Sequence, residues 1–206
     1  MSISIIVEIK SKNDTDIVRN ICDELVDKST KEEGCQYYQL LNKFEQENTF
    51  YLVEKWKNDT SLNAHNSSDH FQSLVPQLVK VADITFLKKF NEFAIKSNEF
   101  TKKPSIDDLY SNENVIRLVV FVEVSNEESF VKLASELATI SNTEEGCLEY
   151  TFAQSVDVGN EWVFIELWKD EHSLNEHSAS EHCKRLIPLL DAVSTVKSVA
   201  KGIQKK

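Results

Sequence analysis

EEGCQYYQLLNKFEQENTFYLVEKWKNDTSLNAHNSSDHFQSLVPQL, residues 32–78, decides the fold because the chain contains it twice. Shifted by 112 residues it reappears at 144–190, with eighteen of the forty-seven positions identical and no gap. Glu32-Glu33-Gly34-Cys35 returns as Glu144-Glu145-Gly146-Cys147, and Tyr38 as Tyr150. Glu54, Trp56 and Lys57 return as Glu166, Trp168 and Lys169. Ser61-Leu62-Asn63, His65, Ser68 and His70 return as Ser173-Leu174-Asn175, His177, Ser180 and His182. Leu74, Pro76 and Leu78 return as Leu186, Pro188 and Leu190. An internal repeat of about 90 residues is too long for a solenoid unit and has the size of a small domain.

Working outward, each copy reads β-α-β-β-α-β. Ile3, Ile5, Val7 and Ile9 alternate along Ser2–Lys10 as in a strand. Asn13 or Asp14 can cap the helix that Ile17, Ile21 and Leu25 mark. Gly34 ends that helical region, where a positive φ is cheap. Cys35–Phe44 and Phe50–Lys57 are the second and third strands. The third is apolar on both faces and so is covered on both. Asn58 or Asp59 caps a helical segment carrying Leu62, Phe71, Leu74 and Leu78, interrupted near Ser67 and Ser68 and kinked or broken by Pro76. Val81–Phe93 carries the fourth strand, with Ile84, Phe86 and Phe90 alternating. Val115–Val124 opens the second copy, Ser125 or Asn126 caps its first helix, Asp170 caps its second helical segment, and Thr195–Ile203 closes it.

This order is the split βαβ, or ferredoxin-like, arrangement, so the expected class is α+β with two tandem copies. The domains are 1–95 and 114–206, joined by a polar linker at 96–113 that contains Pro104. Two helices cover one face of such a sheet; the other, apolar here, needs a partner, and the second copy supplies it. The expectation is two sheets packed face to face as a closed α/β barrel, an intramolecular pseudo-dimer. Its outer edges remain open to further self-association.

The bulk properties exclude several functions. A net charge of -11 and a pI near 5.0 oppose nucleic acid and anionic membrane surfaces, which need basic protein. No window approaches a bilayer-spanning apolar run of about 18 residues. Met1–Glu8 lacks a basic flank and a cleavage site, so no secretory leader is expected. Of the cysteines Cys22, Cys35, Cys147 and Cys183, only Cys35 and Cys147 correspond between copies. That is neither a disulfide framework nor a zinc spacing, and it predicts a reduced, cytoplasmic protein.

EEGC-x2-Y, an aromatic strand ending E-x-W-K, then SLN-x-H-x2-S-x-H and L-x-P-x-L resemble the antibiotic biosynthesis monooxygenase domain of the dimeric α/β-barrel superfamily. The resemblance covers both copies. It implies an oxidoreductase that monooxygenates a small aromatic, phenolic or quinol molecule with dioxygen, without a bound cofactor. Relatives in that superfamily include haem-degrading enzymes, which use an asparagine on the first strand. The first strands here have none, which disfavours haem breakdown. An isomerase of a phosphorylated sugar would need a cation for phosphate, and no arginine lies near Asn63 and His65. The alternative from another class is a non-catalytic barrel that binds a small hydrophobic ligand or serves in stress response.

Cofactor-free oxygenation needs a base, donors that hold an anion, and a dry apolar pocket. His65 and His177 are candidate bases, because neutral imidazole accepts a proton near neutral pH. Glu54 and Glu166 are the second pair of candidate bases, if burial raises their pKa. Trp56 and Trp168, each two residues on along the same strand face, offer an indole to stack and donate. Tyr38, Tyr150, Asn63, Asn175, His70 and His182 are the remaining substrate-binding candidates. On an unbroken helix His65 and His70 diverge by about 140°, so no shared metal site is expected. Asn63 and His70, seven apart, would share a face of the same helix. Each candidate also has a plain structural reading: a core tryptophan, a partnered glutamate, a helix-capping histidine. Cys35 and Cys147 are read as small buried residues. Phe71 becomes Cys183 in the second copy, so the two pockets differ there.

Overall fold

A computed structural model describes residues 2–43, 46–92 and 114–203. The chain divides into two compact units, the first ending at Asn91. The expected linker at 96–113, Phe44 and Phe93 at the expected ends of the second and fourth strands, and residues 204–206 lie outside the described residues.

The first unit runs β1 (Ile3–Ser11), α1 (Thr15–Ser29), β2 (Cys35–Lys43), β3 (Thr49–Trp56), α2 (Asp59–Asn66), α3 (Asp69–Val81) and β4 (Ala82–Glu92). The second repeats it as β5 (Ile116–Val124), α4 (Glu127–Ser141), β6 (Cys147–Ser155), β7 (Glu161–Trp168), α5 (Glu171–Ser178), α6 (Glu181–Asp191) and β8 (Ser194–Ile203). β1 pairs antiparallel with both β3 and β4, and β3 pairs with β2, giving the order β4-β1-β3-β2. The second sheet has the matching order β8-β5-β7-β6. This is the α+β, split-βαβ topology that the alternation of strand and helix periods implies.

Local chemistry sets the element ends. Asp14 caps α1 by accepting from the Asp16 and Ile17 amides, and Asn126 caps α4 by accepting from Ser129. Asn58 and Asp170 cap α2 and α5 through the amides of Ser61 and Ser173. Each takes up an amide that no helical carbonyl can reach. Pro76 does not end α3, which continues to Val81. Proline costs one backbone hydrogen bond there, and burial of Leu74 and Leu78 holds the helix to the sheet regardless.

The first core lies between sheet and helices. Ile3, Ile5, Val7 and Ile9 of β1, with Phe50, Leu52 and Trp56 of β3, meet Val18, Cys22 and Leu25 of α1 and Leu62, Leu74 and Leu78 of the later helices. On the opposite face Val53, Gln39 and Lys55 are buried as well, so β3 is buried on both faces. β4 departs from simple alternation. Its pairing with β1 slips by one residue between Glu8 and Ile9, which leaves Ile84 exposed while Phe90 is fully buried. A bulge inserts one residue and turns the strand's faces over. No helix among the described residues is long and apolar enough to cross a membrane.

Gly34 has φ +86°, and a side chain there would run into Ser61. Gly146 meets Ser173 the same way. The Gly34 carbonyl accepts from the Lys57 amide at 2.8 Å, pinning the turn to the end of β3. Gly34→Ala is therefore expected to lower the unfolding free energy by about 2 kcal/mol or more, from left-handed strain plus the clash. Denaturant midpoints check this, and pairing the change with Ser61→Gly should recover the steric part alone.

Candidate functional site

Register brings the first cluster together. Glu54 faces Tyr38 across β3 and β2, because the pairing shifts by one residue between Cys35 and Tyr37. Without that bulge Cys35 and Tyr38, three apart, would point to opposite faces. Trp56 follows Glu54 by two and shares its face. Its Nε1–H donates to Glu54 Oε2 at 2.9 Å, and Tyr38 also hydrogen-bonds to the Glu54 side chain. Glu54 is 5% exposed. Burial pushes its carboxyl up to about 7, against the pull of the Trp56 and Tyr38 hydrogen bonds and with a further push from Glu32.

His65 enters from α2. Its ring lies over the Trp56 indole at 4.5 Å between centroids and 30° between planes, with Tyr38 at 5.4 Å and Phe71 at 4.8 Å. Nδ1 pairs with Glu32 Oε2 at 2.6 Å. Burial, with His70 beside it, pushes His65 down to about 4, so at neutral pH the ring is uncharged and Nδ1–H donates to Glu32. That tautomer makes Nε2 an acceptor. Nε2 is buried and has no hydrogen-bond partner, in a residue 1% exposed.

Glu32 was not a candidate from sequence, where it stood only within the repeated Glu32-Glu33-Gly34-Cys35. It holds both histidines, since His70 Nε2 lies 3.7 Å from its other oxygen. Burial raises the Glu32 carboxyl while His70 and Ser68 lower it. The signal for Glu32 was its exact return as Glu144.

The two histidines do not diverge as an unbroken helix would require. Ser67 ends α2, and Ser68 caps α3 by accepting from the Phe71 amide. The chain turns between them, and the rings of His65 and His70 stand 5.8 Å apart. The same break removes the shared face expected for Asn63 and His70. Asn63 and Asn175 are exposed, and the structure does not bring them into the cluster. Cys35 and Cys147 are half-buried rather than buried.

The second unit repeats the arrangement. Trp168 Nε1–H donates to Glu166 Oε2 at 2.8 Å, and Tyr150 also bonds to Glu166, which burial pushes up to about 7. His177 lies over Trp168 at 4.4 Å and pairs through Nδ1 with Glu144 Oε2 at 2.6 Å. Burial pushes His177 down to about 4. His182 Nε2 lies 3.6 Å from Glu144. One thing differs. Where the first unit has Phe71, the second has Cys183, whose Sγ is 3.3 Å from His177 Nε2. The residue packed against the imidazole at this position is thus an aromatic ring in one unit and a thiol in the other.

The profile of the antibiotic biosynthesis monooxygenase family matches residues 3–77 and 116–188. "Putative monooxygenase YcnE" of Bacillus subtilis (strain 168) is 45% identical over 51 residues, 25% of this chain and 54% of that protein. The match therefore spans about half the length of that curated relative. Two solved structures share the fold over nearly the whole chain. A "Putative monooxygenase" of Fusobacterium nucleatum subsp. nucleatum ATCC 25586 has TM-score 0.80 at 16% identity, covering 99% of this chain and 91% of its own. A second, from Lactobacillus acidophilus NCFM, has TM-score 0.75 at 19% identity, covering 99% and 93%.

Proposed function

The chain belongs to the antibiotic biosynthesis monooxygenase family, and from that membership we propose that it is a monooxygenase acting on a small phenol or quinol with dioxygen, in the His65 cluster of the first unit. The observation that carries this reading is the bare Nε2 of His65, a buried acceptor in a ring packed by Tyr38, Trp56 and Phe71.

A phenolic hydroxyl donating to Nε2 would give up its proton there. Glu32 on Nδ1 would hold the ring in orientation and offset the charge of the imidazolium, the role a third group plays beside a catalytic base. The electron-rich anion passes one electron to dioxygen, and the two radicals join through a C–O bond. Returning the proton gives a hydroperoxide, and loss of water leaves a ring carbonyl. One oxygen atom ends in the product and the other in water.

Glu54 is the competing base, since a pKa of about 7 suits proton transfer near neutrality. The pH profile separates them. A His65 base, at about 4 in the free protein, predicts turnover that is level through pH 7; a limb near 7 would transfer the role to Glu54.

The test is oxygen uptake by metal-stripped protein on a panel of quinols and polyphenols. His65→Gln is expected to cost about 100-fold or more, the usual contribution of a general base. His177→Gln should cost much less, because the Cys183 thiol lies against that ring, 3.3 Å from Nε2. No uptake on any substrate by folded protein would favour a ligand-binding role instead. The packing of Trp56 and Phe71 directly on His65 supports that second reading.

A further inference from the structure

We propose that the second unit binds one borderline-soft divalent cation of the zinc class through His177 Nε2, Cys183 Sγ and a ring nitrogen of His182, with Glu144 orienting His177 through Nδ1. The inference stands apart from the oxygenation reading, which concerns the first unit.

Three potential ligand atoms from His177, His182 and Cys183 lie within 4.8 Å of one another. Zinc–sulfur and zinc–nitrogen distances of about 2.3 and 2.0–2.1 Å in a tetrahedron place such ligands roughly 3.3–3.6 Å apart. Cys183 Sγ lies 3.3 Å from His177 Nε2 and 3.8 Å from Nδ1, over the face of the ring, so it must also rotate to share an ion with Nε2. Closing the third ligand onto them takes a side-chain rotation at His182, which is partly exposed and gives an ion its route in.

The surroundings fit a cation. Glu144 accepts from His177 Nδ1–H at 2.6 Å, the carboxylate–histidine pairing that fixes the tautomer leaving Nε2 for a metal. The carboxylates of Glu144 and Glu166 put negative charge near the Cys183 sulfur, and a divalent ion would neutralise the sulfur and face both. Binding exchanges the thiol proton for the metal, so one proton is released per ion bound, with no change of oxidation state. Three protein ligands leave a fourth position for water or a small anion.

The first unit is the internal control. It keeps Glu32, His65 and His70 in matching places, but Phe71 stands where the sulfur would be. It offers no soft ligand, so one strong site per chain is expected.

The experiment titrates Co(II) into chelator-treated full-length protein and follows the visible d–d bands and the near-ultraviolet thiolate-to-cobalt charge-transfer band. Saturation at one ion per chain, displacement by Zn(II), and loss of the charge-transfer band in Cys183→Ser are the expected results. Cys183→Phe, which gives the second unit the first unit's own residue, should lose the band too. Phe71→Cys should raise the stoichiometry to two. Circular dichroism confirms that each variant is folded. No charge-transfer band in the wild-type protein overturns the proposal, and so does a band that survives both Cys183 variants. Oxygen uptake in His65→Gln does not enter this outcome, so the two readings fail separately.

Discussion

Glu54→Gln makes the protein more stable relative to wild type at pH 8 than at pH 5, by about 2–3 kcal/mol, if the buried carboxyl titrates near 7. The sign follows from linkage. A carboxyl whose folded pKa lies above its unfolded value stabilises the fold fully below the unfolded value of 4.5, and that contribution disappears as pH rises through the folded value of about 7. At pH 8 the wild-type protein therefore carries a buried charge, and the glutamine variant does not. Placing an amide between the Trp56 and Tyr38 donors has its own cost of about 1–3 kcal/mol, but that cost does not change with pH. The difference between two pH values isolates the titration. Urea midpoints at pH 5 and pH 8 measure it. A difference that does not move with pH would mean that Glu54 does not ionise in this range.

His65 works in the opposite direction. Its folded value of about 4 lies below the unfolded 6.5, so its stabilising contribution is present above 6.5 and lost as pH falls towards 4. Between about 4.5 and 6.5 the two groups offset one another. Removing Glu54 should therefore expose a steeper loss of stability on the acid side.

Trp56→Ala is the second large effect, an expected loss of about 3–5 kcal/mol. The indole is fully buried, carries the His65 ring on one face and closes the hydrogen bond to Glu54. Trp56→Phe separates these roles. It keeps most of the apolar contact and removes the Nε1–H donor, at about 1–3 kcal/mol for a buried carboxyl left with Tyr38 alone. Because that donor lowers the Glu54 pKa, its removal should also carry the titration of Glu54 above 7. Thermal or denaturant unfolding gives the first quantity, and the pH dependence of stability the second.

Most of the architecture could be read from the residues. Alternation in β1 and β3, capping at Asp14, Asn58, Asn126 and Asp170, and the 112-residue repeat together specify two βαββαβ units. The site was legible where partners lie on one strand, as Glu54 and Trp56 do. It was not legible where it depends on how the chain turns. The interruption near Ser67 and Ser68 was expected, but not its consequence: with Ser68 as a cap, the turn brings His70 back onto His65 and leaves Asn63 outside. Glu32 was hidden for a related reason. Its importance comes from the short turns after α1, where the amides of Glu32 and Cys35 bond to Ser29 and Glu32 and aim the carboxylate at a helix more than thirty residues on. The bulges at Cys35–Tyr37 and in β4 likewise follow from pairing partners rather than from local composition.

Carrying both units on one polypeptide has a consequence for inheritance. In an assembly of two identical chains, a substitution in the gene appears at both sites at once, so a harmful change cannot be shielded by an intact twin. Here the codons for positions 71 and 183 are separate. One site can keep an aromatic ring over its imidazole while the other drifts to sulfur, and selection acts on each independently. The duplication lets the two positions change one at a time.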